Sequence, residues 1–150
     1  MDGQEKPNCY DDRIVRSLRK IIQSVGTYSK KLASLYKVTG PQLSCLLAVK
    51  EFETITASQI SREIHVSLST VVGILDRLEE KGLVSRERDQ KDRRRVYVSL
   101  TDKGQELADT APPPLQDKLT EALHQQSELE QSTIALALER IVQLMDNTDT

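Results

Sequence analysis

The stretch from residue 67 to residue 101, SLSTVVGILDRLEEKGLVSRERDQKDRRRVYVSLT, constrains the fold of this chain more than any other. Leu68, Val71, Val72, Leu75 and Leu78 recur at three- and four-residue steps, which predicts a helix with one apolar face that must dock. Ser67 and Ser69 offer side-chain oxygens to cap its start, and Gly82 suits the left-handed position just past its end. Leu83, Ser85 and Glu87 then alternate with Val84, Arg86 and Arg88 at the period of a strand. Residues 89–95 include no apolar side chain, and residues 96–100 return as a β-branched, aromatic strand. The pattern is a helix followed by a hairpin with a long charged tip.

That pattern is the outline of a winged helix that reads DNA. Residues 86–95 hold six basic and three acidic side chains, a local +3 in a chain of formal net charge −2. Taken alone, such a run describes a solvated hairpin. Here it follows a capped helix whose other face, Ser67, Ser69, Thr70 and Gly73, is small and polar enough to approach base edges closely. The acids gather elsewhere: Asp2, Glu5, Asp11 and Asp12 near one end, and Glu128, Glu130, Glu139, Asp146 and Asp149 near the other. One surface is thus expected to face phosphates while the rest does not.

The remainder of the chain reads as helices. Residues 1–10 are polar and are expected to form a frayed end. Ile14, Leu18, Ile21, Val25, Tyr28, Leu32 and Leu35 then form a heptad-like seam on a helix that needs more partner than its short neighbours supply. Thr39 before Gly40-Pro41 can start a short core helix bearing Leu43, Leu46, Leu47, Val49 and Phe52. Thr56 with Gln59 three residues on is a capping box for a helix carrying Ile60 and Ile64. With His65-Val66 as the turn and Ser67 as the next cap, residues 56–81 read as a helix-turn-helix. Thr101 caps a further helix that Pro112-Pro113-Pro114 must break or kink, a turn of helix runs on to about Gln125, and a last helix spans from Ser127 or Glu128 to Asn147.

At 150 residues with 3% aromatics and no Trp, the chain suits one core of helix-on-helix packing. Cys9 and Cys45 have neither metal nor disulfide-framework spacing; Cys45 reads as a small buried hydrophobe, and Asp11 and Asp12 should raise the pKa of Cys9. With no signal-peptide pattern and no apolar run near the ~20 residues of a membrane span, the expected location is the cytoplasm.

With Leu75-Asp76-Arg77-Leu78-Glu79, Gly82-Leu83-Val84, Arg86, Asp92-Arg93-Arg94, Leu100-Thr101 and Gly104 spaced as they are, the chain resembles the MarR family of bacterial transcriptional regulators over nearly its whole length. The resemblance implies a mainly α fold with a small β-hairpin wing. Residues 41–100 would be the winged helix-turn-helix DNA-binding lobe, and 11–37 and 101–147 the dimerisation helices. It further implies a homodimer whose interface includes Ile14, Leu18, Ile21, Ile134, Leu138 and Ile141. Two recognition helices would then face successive major grooves roughly 34 Å apart.

Ser67, Ser69, Thr70 and Gly73 would meet bases or phosphates, with Arg86 within the same DNA-contacting set. Arg94 or Arg93, with Arg95 beside them, would enter the flanking minor groove. Arg77 either contacts a phosphate or pairs with Glu80 or Asp76; Thr56 and Ser58 either cap or touch phosphate. Asp92 would brace the wing by pairing with an arginine. A small anionic or aromatic effector would be lined by Tyr28, Lys31, Tyr36, Pro41, Ser44 and Cys45, unless these simply pack at a junction. The three prolines depart from a straight fifth helix. Residues 38–43, 69–79 and 111–116 are also similar to the branch controlling ectoine and related compatible-solute genes, which would make the cue osmotic.

An enzyme is disfavoured. His65 and His124 lie far apart, and no phosphate loop, metal-ligand spacing or nucleophilic triad is present, so neither cofactor nor metal is implied. The other competitor is a winged helix used as a protein–protein interaction module without DNA binding, which the run Arg93-Arg94-Arg95 argues against.

Overall fold

A computed structural model of the chain describes residues 9–147. The frayed end expected at residues 1–10 falls, up to residue 8, outside the described residues, and Tyr10 already opens a helix. The described residues are mainly helical, with a small three-stranded antiparallel sheet. They divide into two compact units, one ending at Pro112 and the other starting at Pro113.

In the first unit, α1 (Tyr10–Lys31) continues into a single π turn, Leu32–Tyr36, that ends on Lys37 in the left-handed conformation. The heptad-like seam is therefore helical as expected, but only Leu32 of it is buried. Next comes α2 (Gly40–Phe52), opened by a complete capping box: Thr39 Oγ1 accepts from the Gln42 amide at 3.3 Å, and Gln42 Oε1 accepts from the Thr39 amide at 3.1 Å. Gln42, Leu43, Cys45, Leu46, Ala48 and Val49 are all buried, so α2 is the central post against which the lobe packs.

Thr56 and Gln59 form the second capping box, opening α3 (Ala57–Ile64). His65 turns left-handed, and the Ser61 carbonyl and hydroxyl close the turn onto Val66. Ser67 then caps α4 (Leu68–Glu80) by accepting from the Thr70 amide at 3.3 Å. At the far end Gly82, at φ +70°, donates to the Glu79 carbonyl, and Leu83 donates to that of Leu78. This is the doubly bonded left-handed termination that the glycine was expected to make.

The wing strands are β2 (Val84–Arg88) and β3 (Val96–Leu100), paired from Val84↔Leu100 to Arg88↔Val96. The sequence reading gave two strands. The structure adds β1 (Ile55–Thr56), which pairs with β3 through Ile55↔Val98, giving the order β1-β3-β2. Because its partner lies some forty residues away, no local pattern marks it.

Thr101 caps α5 (Asp102–Thr110), which packs on α2 and β3. The prolines end this helix as expected, and Tyr28 and Tyr36 donate to the carbonyls of Pro112 and Thr110 at its end. In the second unit, α6 (Leu115–His124) and α7 (Glu128–Asp146) follow, α7 capped by Ser127. Among the described residues, no helix is long and apolar enough to cross a membrane.

Among the described glycines the closest neighbour is met at Gly104, where a Cβ would sit 1.9 Å from the Leu83 carbonyl oxygen. Gly104→Ala must therefore push α5 off the wing. We expect a loss of about 1–3 kcal/mol or more in urea unfolding, as overpacked sites show. Unchanged stability would mean that α5 does not approach Leu83 so closely.

Candidate nucleic-acid interface

The N-terminal end of α4 carries a cluster of hydroxyls. Ser67 Oγ lies 2.8 Å from Thr70 Oγ1 and 3.3 Å from Ser69 Oγ, and all three residues are exposed. Gly73, one turn on, faces open space. The helix N-terminus adds unsatisfied amides and a partial positive charge, so this end is suited to polar, electron-rich partners.

The apolar face of α4 is narrower than its sequence suggested. Val71, Leu75 and Leu78 are buried, but Leu68 and Val72 are 48% and 41% exposed. They look instead into a cleft of about 660 Å³ between α3, α4 and the wing, lined also by Ser58, Arg62, Arg94, Arg95 and Tyr97. Arg62 and Tyr97 escaped the sequence reading. Spacing could have found Arg62, which lies four residues after Ser58 and so on the same face of α3.

The wing tip is held by its aspartates. Asp89 Oδ1 accepts from the Lys91 amide at 3.0 Å, Asp92 Oδ1 from the Arg94 amide at 3.1 Å, and the Arg95 amide donates to the Asp92 carbonyl. Asp92 thus holds the wing tip through a backbone amide in a tight turn, where the resemblance implied pairing with an arginine side chain. Arg93 and Arg94 are exposed, and the ion pairs found among the described residues are those of Arg86 and Lys50. Arg95 has its pKa raised, first by a hydrogen bond with the Tyr97 side chain.

Arg86 is placed otherwise than expected. Its Nη2 donates to Asp76 Oδ1 at 2.7 Å and its Nε to Glu79 Oε2, so the guanidinium ties β2 to α4. Glu79 is the first cause of its raised pKa. Asp76 being so engaged, neither carboxylate considered as a partner for Arg77 forms an ion pair with it among the described residues, and Arg77 remains exposed. Of the two roles weighed for Thr56, its hydroxyl takes the cap, whereas Ser58 is exposed in the cleft.

Of the residues considered for an effector, Tyr28 and Tyr36 pack against the core in which Cys45 is buried. Cys45 is fully buried in the core, and burial pushes its thiol up to about 12, so it stays protonated. Tyr28 and Tyr36 direct their hydroxyls to the end of α5, Lys31 is exposed, and Ser44 is half-buried. Cys9 is exposed, with its pKa raised first by a hydrogen bond with Asp11. A raised pKa leaves less thiolate at either cysteine. Among the described residues, no group of three His, Cys, Asp or Glu side chains could hold a metal ion.

Arg86 predicts its own test. Arg86→Ala leaves Asp76 and Glu79 without their shared cation and should cost about 1 kcal/mol, the scale of a partly exposed charge-assisted pair. In thermal melts that is a fall of about 2–4 °C. An unchanged midpoint would show that the brace does not hold the wing.

Comparison with known proteins agrees with this geometry. The MarR family model matches residues 38–96. The organic hydroperoxide resistance transcriptional regulator of Bacillus subtilis (strain 168) is 34% identical over 82 residues, covering 55% of this chain and 56% of that protein. The chain thus spans about half the length of the curated relatives it matches. The crystal structure of the transcriptional regulator BldR from Sulfolobus solfataricus superposes with a TM-score of 0.58 at 28% identity, over 89% of this chain and 95% of that one. Streptococcus pneumoniae FabT, solved in complex with DNA, shares the fold with a TM-score of 0.60 at 24% identity, over 91% of this chain and 98% of its own. The chain is thus similar, over part of its length, to the MarR family and to transcriptional regulators.

Proposed function

We propose that this chain, whose residues 38–96 match the MarR family, is a sequence-specific double-stranded-DNA-binding repressor that acts as a homodimer on a pseudo-palindromic operator. The observation that carries the reading is the pairing of an exposed, hydroxyl-bearing helix start on α4 with a wing whose aspartates are spent on backbone amides, leaving its arginines exposed. Ser67, Ser69 and Thr70 supply donors and acceptors to base edges, and Gly73 permits close approach. Arg77 and Ser58 anchor phosphates, and Arg93 and Arg94 reach the flanking minor groove, where narrow A·T-rich sequence attracts guanidinium groups. Arg86, paired with Asp76 and Glu79, stiffens the unit.

The dimer is inferred from the apolar faces. No residue of α1 or α7 is buried, and Ile14, Ile21, Ile134 and Leu138 are among their exposed apolar side chains. A second copy would cover them, with Leu18 and Ile141 beside them, and its two-fold axis would fix the half-site spacing at about one DNA turn. Such a dimer, seated across about two turns of a promoter, blocks polymerase. For the cue we propose ionic strength acting on osmotic-stress genes, a reading supported by the resemblance to compatible-solute regulators. Its physical basis is that phosphate-anchored binding weakens with salt at a log–log slope of about −0.9 per contact.

The test is fluorescence anisotropy with duplex DNA from upstream of the protein's own gene, at several salt concentrations, against scrambled competitor. We expect specific binding with the stoichiometry of a dimer, twice the 16.9 kDa chain. Arg77→Ala should flatten the salt slope by about 2, one phosphate contact from each protomer. Binding to neither duplex at low salt would move the weight to a protein-interaction module. A salt response no steeper than that of an unrelated dimeric repressor, with release by a specific ligand at constant ionic strength, would remove the osmotic cue.

A further inference from the structure

We propose that Leu68 and Val72 read thymine: the two side chains contact the C5-methyl groups of thymines in the operator's major groove. The inference rests on the DNA-binding reading and deepens it, because it names a base that the protein selects.

The argument starts from an unused apolar strip. Val71, Leu75 and Leu78 already fasten α4 to the core, yet Leu68 and Val72 remain about half exposed on its wing-side flank. They are four residues apart and so stand one above the other, about 6 Å along the axis. Asp76 continues the same flank one turn later and is closed off by Arg86. The apolar strip is thus confined to the first two turns of the helix, next to the hydroxyl cluster.

The surroundings identify the occupant. The cleft that Leu68 and Val72 look into is lined by four arginines, Arg62, Arg86, Arg94 and Arg95, and by no carboxylate-bearing residue. Arg86 is already paired, so the remaining three set the charge of the rim. An apolar floor within a cationic rim fits a partner that is a polyanion outside and carries small apolar groups inside. In the major groove the apolar group that a base edge presents is the methyl of thymine. The 6 Å between the two side chains approaches two base-pair steps of about 3.4 Å, so the strip can meet two thymines. Ser69 and Thr70, beside it, supply hydrogen bonds that do not by themselves distinguish thymine from cytosine.

The experiment uses the full chain and a duplex that the protein itself selects from a random-sequence library. Each thymine of the selected half-site is replaced in turn by uracil, which removes the methyl and keeps every hydrogen bond. We expect one or two positions at which uracil weakens binding about fourfold, the worth of one buried methyl group. For the Leu68→Ala/Val72→Ala protein, with folding checked by circular dichroism, thymine and uracil duplexes should bind with one common, weaker affinity. Equal binding of both duplexes by the unmodified chain would overturn the thymine assignment while leaving DNA binding intact. So would a double variant that still discriminates. Failure to select any duplex would instead overturn the DNA-binding reading, and this inference with it.

Discussion

The lobe depends on one backbone junction, the two residues Gly82 and Leu83. Gly82 turns left-handed and ends α4; its carbonyl accepts from the Thr101 hydroxyl, and the Leu83 carbonyl accepts from the Thr101 amide at 3.1 Å. Thr101 Oγ1 also caps α5 through the Gly104 amide. The end of the helix that presents side chains to a partner, the root of the wing and the start of α5 thereby share three residues. Gly104 has no side chain because α5 comes down directly on the Leu83 carbonyl. Lys81 adds a polar strut: its ammonium donates to the Lys37 carbonyl at 2.6 Å and to Gln42 Oε1 at 3.1 Å. The same Gln42 oxygen completes the cap of α2, so the buried amide joins the central helix to the end of α4. Such links fix angles between elements, as the proposed fit to a DNA groove would require.

Charge is sorted by the same logic. Arg86, at the root of the wing, is neutralised by Asp76 and Glu79, while the arginines at the tip are not. Had Asp89 and Asp92 paired with guanidinium groups, the tip would carry little net field. Both turn their carboxylates to backbone amides instead, so they shape the loop while its cations face outward. A chain of net charge −2 can in this way present a local cationic edge.

What could be read from the sequence follows from the range of each interaction. Caps are local hydrogen bonds, so Thr39, Thr56, Ser67, Thr101 and Ser127 stand at the helix starts where their side chains predicted. The strand periods and the proline break are local too. β1 was not legible because two residues form a strand only through a distant partner, although the β-branched run Thr54-Ile55-Thr56 was a faint sign of it. Periodicity counted Leu68 and Val72 as core because it reports a stripe, whereas the width of that stripe that can be covered depends on how α2, α3 and the wing surround the helix. The reassignment of Arg86 has the same cause: its carboxylates lie seven and ten residues back, across a turn. Cys45 could be placed in the core from its apolar neighbours, and it lies there fully buried.

The exposed face of α1 gives the last step. Ile14, Ile21 and Val25 are 45%, 52% and 51% exposed along one seam, in a helix that buries none of its residues. Scattered apolar side chains on a surface need no explanation, but a seam repeating every three or four residues over five turns does. Most of the apolar residues of α2 are already buried within the lobe, with Phe52 at its end 46% exposed, and none of them covers the α1 seam, which stays exposed. In the proposed dimer a second copy of the chain would bring an identical seam, and a self-complementary interface would repeat α4 and its wing about a two-fold axis. Interface formation and operator reading would then be one requirement: the seam left exposed on a single chain would set the distance between two reading heads.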